Sequence, residues 1–322
     1  MNQLAVLTSG GDAPGMNASL RAIVRSANNK KINVYGVFNG FEGLIDDHLS
    51  ELKPRQVGNI IQRGGSILHT SRSKRFLNKK FRDQARENLL KRNINSLIII
   101  GGEGSLKGAK YLGQEGEINV LGLPATIDRD LPFVGPTIGF DTAINTALQA
   151  IDRIRDTAST SNTVHIIEVM GRACGWISLF AGIGGGAEAV ILPEFPTDIE
   201  KLAQQIKEQR SSGKQGCILI VSEGACNSSG GEGLIKDLNK VSNFDLRITK
   251  LGHIQRGGNP SAVDRVLASR LGANAVERLL AGYNQCVVAQ PKDKIEMIPF
   301  TKLSGNLNSE MRDYHELIFK LV

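Results

Sequence analysis

Residues 124–132 read PATIDRDLP and set two carboxylates, Asp128 and Asp130, around one guanidinium, Arg129, directly after the apolar run 118–123. A solvated turn with a surface ion pair would account for the cluster, at a worth of about 1 kcal/mol or less. So would a reaction centre in which one carboxylate takes a proton and another holds a metal. The stretch alone is compatible with both.

Two glycine-rich turns add to the second reading. GGDAPG (10–15) and GGEGS (101–105) each follow an apolar run and precede a helical pattern. Glycine there lets backbone N–H groups approach a phosphate, and the start of a helix adds partial positive charge. Glycine also serves tight turns with no ligand at all. Glu103 sharpens the point, because a carboxylate inside a phosphate cradle repels its ligand unless a cation lies between them. Mg²⁺ held by one or two carboxylates and phosphate oxygens resolves that conflict. No G-x-x-x-x-G-K-[ST] pattern occurs, which excludes a P-loop NTPase. The dinucleotide fingerprint also fails: after Gly102 and Gly104 the next glycine is Gly108, and no acidic residue stands where a ribose partner belongs.

Arg63, Arg72, Arg172, Arg247 and Arg256 lie near turns. Arg172, in EVMGRACG, and Arg256, in GHIQRGG, each follow a strand-like run and adjoin glycine, and a planar guanidinium matches phosphate. His253 is either a phosphate donor or a structural histidine. A cradle, a metal carboxylate, a carboxylate base and several phosphate-binding cations together suit phosphoryl transfer to a hydroxyl of a phosphorylated small molecule.

The elements that must hold these groups repeat one grammar, a β-branched or aliphatic run, a glycine turn and a helix pattern. It recurs at LAVLTSGGDAPG, SLIIIGGEGS, NVLGLPATIDRD, TVHIIEVMGRACG and GCILIVSEGA. Near-continuous apolar strands alternating with helices predict parallel sheets covered on both faces, with ligands at the carboxyl ends of the strands. The spacing of Ile144, Ala147, Leu148 and Ile151 predicts a helix over 141–156 with Asp141 as its cap. Helices are also expected over 199–210, with Ile199, Leu202, Ala203 and Ile206 on one face, and over 261–280, stopped near Gly282. One echo stands out: IIQRGG at 60–65 returns as HIQRGG at 253–258.

At 322 residues two domains are expected. The four cysteines, Cys174, Cys217, Cys226 and Cys286, lack metal spacing and read as free, buried thiols of a reducing cytoplasm. No run reaches the length of a membrane span, and the N-terminal residues enter a strand without a signal-peptide pattern. The net charge of +7 is dispersed rather than striped, which fits small phosphorylated ligands better than nucleic acid. The exception, SRSKRFLNKKFR at 71–82, reads as a basic patch or a solvated loop.

LTSGGDAPGMNA, GGEGS, TIDRD, TIGFDTA, IEVMGR, GGGAE and LGHIQRGG…DR occur in that order over nearly the whole chain. In these motifs the chain resembles the bacterial ATP-dependent 6-phosphofructokinases. The resemblance implies an α/β fold of two doubly wound domains with mostly parallel sheets. Residues 1–139 with about 254–305 would bind nucleotide, and 140–253 with about 306–322 the sugar phosphate. It implies phosphorylation of fructose 6-phosphate at its 1-hydroxyl by MgATP, in a cytoplasmic homotetramer.

Carried over by motif, Asp128 would be the base, flanked by Thr126 and Asp130, with Arg72 and Arg172 stabilising the charge in flight. Gly11, Arg72, Ser73, Gly102, Glu103, Gly104 and Ser105 would hold ATP, Glu103 at the Mg²⁺ position. Thr126, Ile127, Asp128, Met170, Gly171, Arg172, Glu223, Arg247, His253, Ile254, Gln255 and Arg256 would line the sugar phosphate. Of these, Arg247 and His253 would serve a neighbouring subunit. Arg21, Arg25, Arg155, Gly186, Glu188 and Lys214 match the family's effector site, where nucleoside diphosphate activates and phosphoenolpyruvate inhibits.

Several positions depart from the family pattern. Glu103 stands where Asp is usual, Arg129 where Asn is usual, and Thr163 where a sugar-phosphate arginine is usual. Arg129 is then expected to replace that lost phosphate contact or to lower the pKa of Asp128. Ser212 replaces an expected effector-site arginine, and Gln215 is no base, so a weaker effector response is expected. Pyrophosphate-using relatives carry Asp at the place of Gly104 and Lys at that of Ala125, so ATP is the expected donor. A pyrophosphate enzyme and a catalytically weakened regulatory paralogue are the alternatives.

Overall fold

The structure, a computed structural model, describes residues 1–160, 163–214, 216–305 and 308–321; Gln215 lies outside the described residues. The chain begins β1 (Gln3–Ser9), α1 (Met16–Asn29), β2 (Asn33–Val37), α2 (Gly40–Ile45), β3 (Leu49–Glu51) and α3 (Lys79–Leu90). It continues through β4 (Ser96–Gly101), α4 (Glu103–Gln114), β5 (Asn119–Pro124) and α5 (Phe140–Ala158). Next come β6 (Val164–Val169), α6 (Trp176–Gly184), β7 (Ala189–Ile191), α7 (Ile199–Ser211), β8 (Cys217–Ser222), α8 (Ala225–Ser228), α9 (Gly230–Val241) and β9 (Leu246–Lys250). Then follow α10 (Ala262–Leu280), β10 (Cys286–Ala289), β11 (Glu296–Pro299) and α11 (Asn308–Leu321). Met1–Thr142 with Arg256–Gly305 form one compact unit, and Ala143–Gln255 with α11 form the second.

The first unit holds a seven-stranded sheet in the order β11-β10-β5-β4-β1-β2-β3, parallel except for the outer strands β3 and β11. β4 is buried along its whole length, as an aliphatic strand covered on both faces must be. Leu7, Leu97, Ile99, Val120, Leu106 and Leu112 pack in this core, beside Phe41 and Phe76 stacked 4.0 Å apart. β1 lies between β4 and β2, so the strand order reverses beside it. In open α/β sheets the crevice at such a reversal, outside the strands' carboxyl ends, is where ligands bind.

The second unit holds a four-stranded parallel sheet in the order β7-β8-β6-β9. Val164, Ile166, Leu219 and Val221 meet Leu202, Ala203 and Ile206 of α7 and Leu234 and Leu238 of α9. The expected face of α7 is therefore the buried one.

Three local expectations need correction. Asp141 does not cap α5; it lies within the first turn. The capping carboxylate is Asp264, which accepts from Gly139 N at 2.8 Å and Thr142 N at 2.8 Å. A distant residue supplied what a local rule assigned to the nearest acid. Cys174 and Cys217 are buried, but Cys226 and Cys286 are only half-buried. Burial pushes the Cys217 thiol up to about 12. The basic run 71–82 is a loop only at its start, and several of its charges are paired rather than forming an open patch. Arg75 pairs with Glu42 and Asp46, Lys79 with Asp83, and the buried Arg82 with Glu115 at 2.7 Å, while α3 begins at Lys79. Ser261 caps α10, accepting from Asp264 N, and Gly282 takes the left-handed φ of +83° just past its end, as expected there.

Candidate functional site

In the first unit the register brings three strand ends level. Ser9 of β1 pairs with Gly101 of β4, and Gly101 pairs with Pro124 of β5. The loops that leave from there, at Gly10, Gly102 and Ala125, are the ones singled out in the sequence. They touch one another: a Cβ added at Gly102 would lie 3.3 Å from Thr126 Cβ, and one at Gly10 would lie 3.1 Å from Ser105 Oγ. Gly10 N donates to Ser71 O at 3.3 Å, which ties Arg72 and Ser73 to the same corner. Arg72 is exposed, and Ser73 Oγ accepts from Phe76 N at 3.0 Å to start a short helical turn. Arg75, three residues on from Arg72, is clamped by Glu42 and Asp46, so this loop is anchored at its far end.

Thr126 and Asp128 form a hydroxyl-backbone turn, Asp128 N donating to Thr126 Oγ1 at 3.1 Å. Asp128 is 3% exposed and Thr126 7%, while Ile127 is fully buried, its side chain part of the packing behind the turn. Arg129 sits in the left-handed region, φ +51°, a conformation Asn tolerates better than Arg. Its guanidinium lies over the Phe140 ring, 5.2 Å from the centroid. That cation–π contact gives Arg129 an anchor inside its own unit.

Glu103 is the first residue of α4, with Gly102 as cap. Its carboxylate is half-exposed and paired with Lys107 Nζ at 2.6 Å, one turn along the same helix. Among the described residues no three His, Cys, Asp or Glu side chains converge, so no all-protein cage forms. A single hard carboxylate beside a phosphate cradle is nonetheless the donor set Mg²⁺ takes when phosphate oxygens complete its shell. A Cβ at Gly104 would meet nothing within 4 Å. Nothing in the chain requires glycine there.

Arg256 Nη1 donates to Asp12 O at 3.2 Å, and a side chain at Gly11 would run into its guanidinium. The echoed segments meet as well: a Cβ at Gly64 would collide with the Gly258 carbonyl, while Asn17 Nδ2 donates to Arg63 O and Gly64 O. The repeated RGG is thus two turns packed back to back beside α1.

In the second unit Val169 pairs with Ser222 and Glu168 with Lys250, so Met170, Glu223 and Leu251 follow strand ends on one edge. Glu223 Oε1 accepts from Gly171 N at 3.2 Å and Arg172 N at 2.8 Å, holding Arg172 at φ +54° with its side chain exposed. Gln255 is fully buried, its Oε1 accepting from Met170 N at 2.9 Å. It clamps the loop from behind. His253 and Ile254 beside it are exposed.

Arg247 does not join this group. It pairs in register with His165, near the start of β9, and forms an ion pair with Asp245 at 3.3 Å. Burial, then the nearby Arg247, keeps His165 below its usual pKa; its Nε2 lies 2.7 Å from Thr163 Oγ1. Elsewhere in this unit Glu188 is buried and takes Ile218 N at 2.5 Å, Lys214 Nζ at 2.9 Å and Arg155 Nη1 at 3.6 Å. Arg155 Nη2 also donates to the carbonyls of Gly185 and Gly186 at 2.6 Å. Arg21 and Arg25 lie on α1 in the first unit.

Sequence reasoning missed two buried carboxylates that hold loop and helix starts, Glu194 in the second unit and Asp264 in the first. Glu194 Oε1 accepts from Gly175 N at 2.8 Å at the start of α6, and burial pushes its carboxyl up. The SxxD spacing of Ser261 and Asp264 was a visible capping signal, but nothing in it told that the carboxylate reaches α5.

Among the described residues no helix is long and apolar enough to cross a membrane. The phosphofructokinase family profile matches residues 3–279. The ATP-dependent 6-phosphofructokinase of Natranaerobius thermophilus is 44% identical over 317 residues, 98% of each chain. That of Staphylococcus epidermidis is 45% identical over 322 residues, covering 100% of this chain and 98% of the relative. The crystal structure of Pichia pastoris phosphofructokinase in the T-state superposes with a TM-score of 0.89 at 31% identity. There the chain is covered in full but spans only 38% of the yeast chain's length. The chain belongs to the phosphofructokinase family.

Proposed function

We propose that this protein transfers the terminal phosphoryl group of ATP to the 1-hydroxyl of fructose 6-phosphate, giving fructose 1,6-bisphosphate and ADP. The observation that carries the reading is the buried Asp128, which follows β5, whose end is level with those of β4 and β1, the strands that lead into the two glycine turns suited to a nucleotide phosphate chain.

Asp128 accepts the proton of the attacking hydroxyl, held in place by the Thr126 turn, with Asp130 beside it. The glycine turns at Gly11 and at Gly102, Glu103, Gly104 and Ser105, with Arg72 and Ser73, hold the nucleotide. Mg²⁺ would lean on Glu103 and supply neutralisation of the charge that develops on the transferred group. Met170, Gly171, Arg172 and Glu223 of the second unit hold the sugar phosphate, and Gln255 keeps their loop in shape. Arg256, whose guanidinium lies against Gly11, adds a further cation for the sugar phosphate. Arg247 and the exposed His253 and Ile254 suit service to a second copy of the chain, in keeping with a homotetramer. The open space at Gly104 and the uncharged Ala125 favour ATP over pyrophosphate as donor.

Arg155, Gly186, Glu188 and Lys214 in the second unit, and Arg21 and Arg25 in the first, each suit binding of a nucleoside diphosphate or phosphoenolpyruvate effector. Glu188 already neutralises part of the charge of Arg155 and Lys214, which with Ser212 predicts a muted response to anions. A cytoplasmic location is in keeping with such phosphorylated substrates.

The test is Asp128→Asn in a coupled assay of fructose 1,6-bisphosphate formation. Loss of a general base lowers kcat by about 10²–10⁴-fold. Turnover within a few-fold of the parent refutes the assignment, and activity with pyrophosphate in place of ATP refutes the donor.

A further inference from the structure

In the first unit the start of α10 lies against the first residues of α5, Phe140 to Thr142. Ser261 caps α10, its hydroxyl accepting from Asp264 N at 3.2 Å. In a capping box the carboxylate three residues on returns the favour to the cap residue's own N–H. Asp264 turns away instead. Its Oδ1 accepts from Gly139 N at 2.8 Å, and its Oδ2 from Thr142 N at 2.8 Å and Thr142 Oγ1 at 2.5 Å. The bond it abandons is made by Thr142, whose Oγ1 accepts from Ser261 N at 2.9 Å. Each helix start is capped from the other's first turn, with Asp264 at 1% exposure and Thr142 at 5%.

The segment gripped by this reciprocal cap leads straight to the catalytic turn. Ile138 N donates to Pro124 O at 2.9 Å, and Ile138 bridges to Ala125. Thr137 Oγ1 donates to Thr126 O at 2.7 Å. Gly139, at φ +100°, lies so close that a Cβ would stand 2.8 Å from that of Ala13 and 3.3 Å from Ile127 Cγ2. Residues 137–142 therefore touch both the GGDAPG turn and the residues 124–127 that lead into Asp128.

We infer that Asp264 and Thr142 are positioning residues for phosphoryl transfer: their paired caps fix residues 137–142, and these aim the Asp128 carboxylate. The inference rests on Asp128 being the base. A misplacement of about 1 Å far from the chemistry costs on the order of 10²-fold in rate, which sets the scale of the expected effect.

The experiment compares Asp264→Asn, Thr142→Val and Thr142→Ser in the full-length protein, each in the parent and in the Asp128→Asn background. Asp264→Asn and Thr142→Val are expected to lower kcat by roughly 10- to 100-fold, with KM for ATP within two-fold. Thr142→Ser keeps the hydroxyl and returns kcat to within two-fold of the parent. In the Asp128→Asn background the same changes cost less than two-fold, because there is no base left to aim. A general loss of folded protein would instead multiply equally in both backgrounds, and that result overturns the inference. So does a kcat within two-fold of the parent in Thr142→Val while Asp128→Asn is impaired. An active Asp128→Asn protein refutes the base assignment itself, and this inference with it. Should Asp264→Asn fail to fold, the Val and Ser variants of Thr142 decide alone.

Discussion

Gly104→Ala separates what the nucleotide requires from what the fold requires. Gly104 is the second residue of α4, is exposed, has no left-handed φ, and would place a Cβ with nothing within 4 Å. Glycine in a helix is worse than alanine by about 0.5–1 kcal/mol, much of it through the unfolded chain's freedom. The substitution is therefore expected to stabilise the protein by roughly 0.5 kcal/mol, the lower end because the position is near the helix terminus. If a triphosphate lies in that open space, the added methyl overpacks it and costs about 1–3 kcal/mol, or roughly 5- to 150-fold in kcat/KM for ATP. KM for fructose 6-phosphate should stay within two-fold. Gly108, one helical turn on, is the control: its Cβ would lie 2.9 Å from Phe41 Cζ, so alanine there should destabilise. Urea midpoints and ATP titrations on the same preparations give both numbers. A Gly104→Ala protein that is more stable yet uses ATP as well as the parent refutes the placement of nucleotide at this turn.

Lys107→Ala removes the cation now paired with Glu103, so half-maximal activity is expected at about half the Mg²⁺ concentration, a small change befitting an exposed pair. A higher Mg²⁺ requirement would contradict Glu103 as the metal carboxylate. Glu194→Gln tests burial. The folded protein raises the Glu194 carboxyl above 4.5, so ionising it opposes folding, a penalty absent at lower pH and complete once pH exceeds the raised value. The Gln variant should gain stability at pH 7–8, and the gain should shrink as pH falls toward 4.5; a gain that grows on acidification would be the wrong sign.

What could be read from residue types were the groups that act through their own local surroundings. The aliphatic runs became the expected parallel strands, and the turns after them lie on the edges where ligands bind in such sheets. Helix starts were legible where the cap is a neighbour, as at Ser261, and illegible where it is not. Asp141 stands at the right spacing for α5, yet Asp264, more than a hundred residues away, makes the bonds. The basic run at 71–82 misled for the same reason, because Glu42, Asp46 and Glu115 come from other elements. Arg129 illustrates a different limit. Its charge was plain in sequence, but φ +51° and the Phe140 ring decide where that charge points. Gln255 was expected among the ligand contacts, whereas burial leaves it a backbone clamp on Met170.

The shared register of Ser9, Gly101 and Pro124 limits how such a protein can diversify. Inserting a single residue in β1, β4 or β5 would slide one loop by about 3.3 Å and turn its side chains to the opposite face. Donor preference can then drift only by exchanging side chains on an unaltered scaffold, and a position such as Gly104, which the scaffold itself ignores, is where that drift meets least resistance.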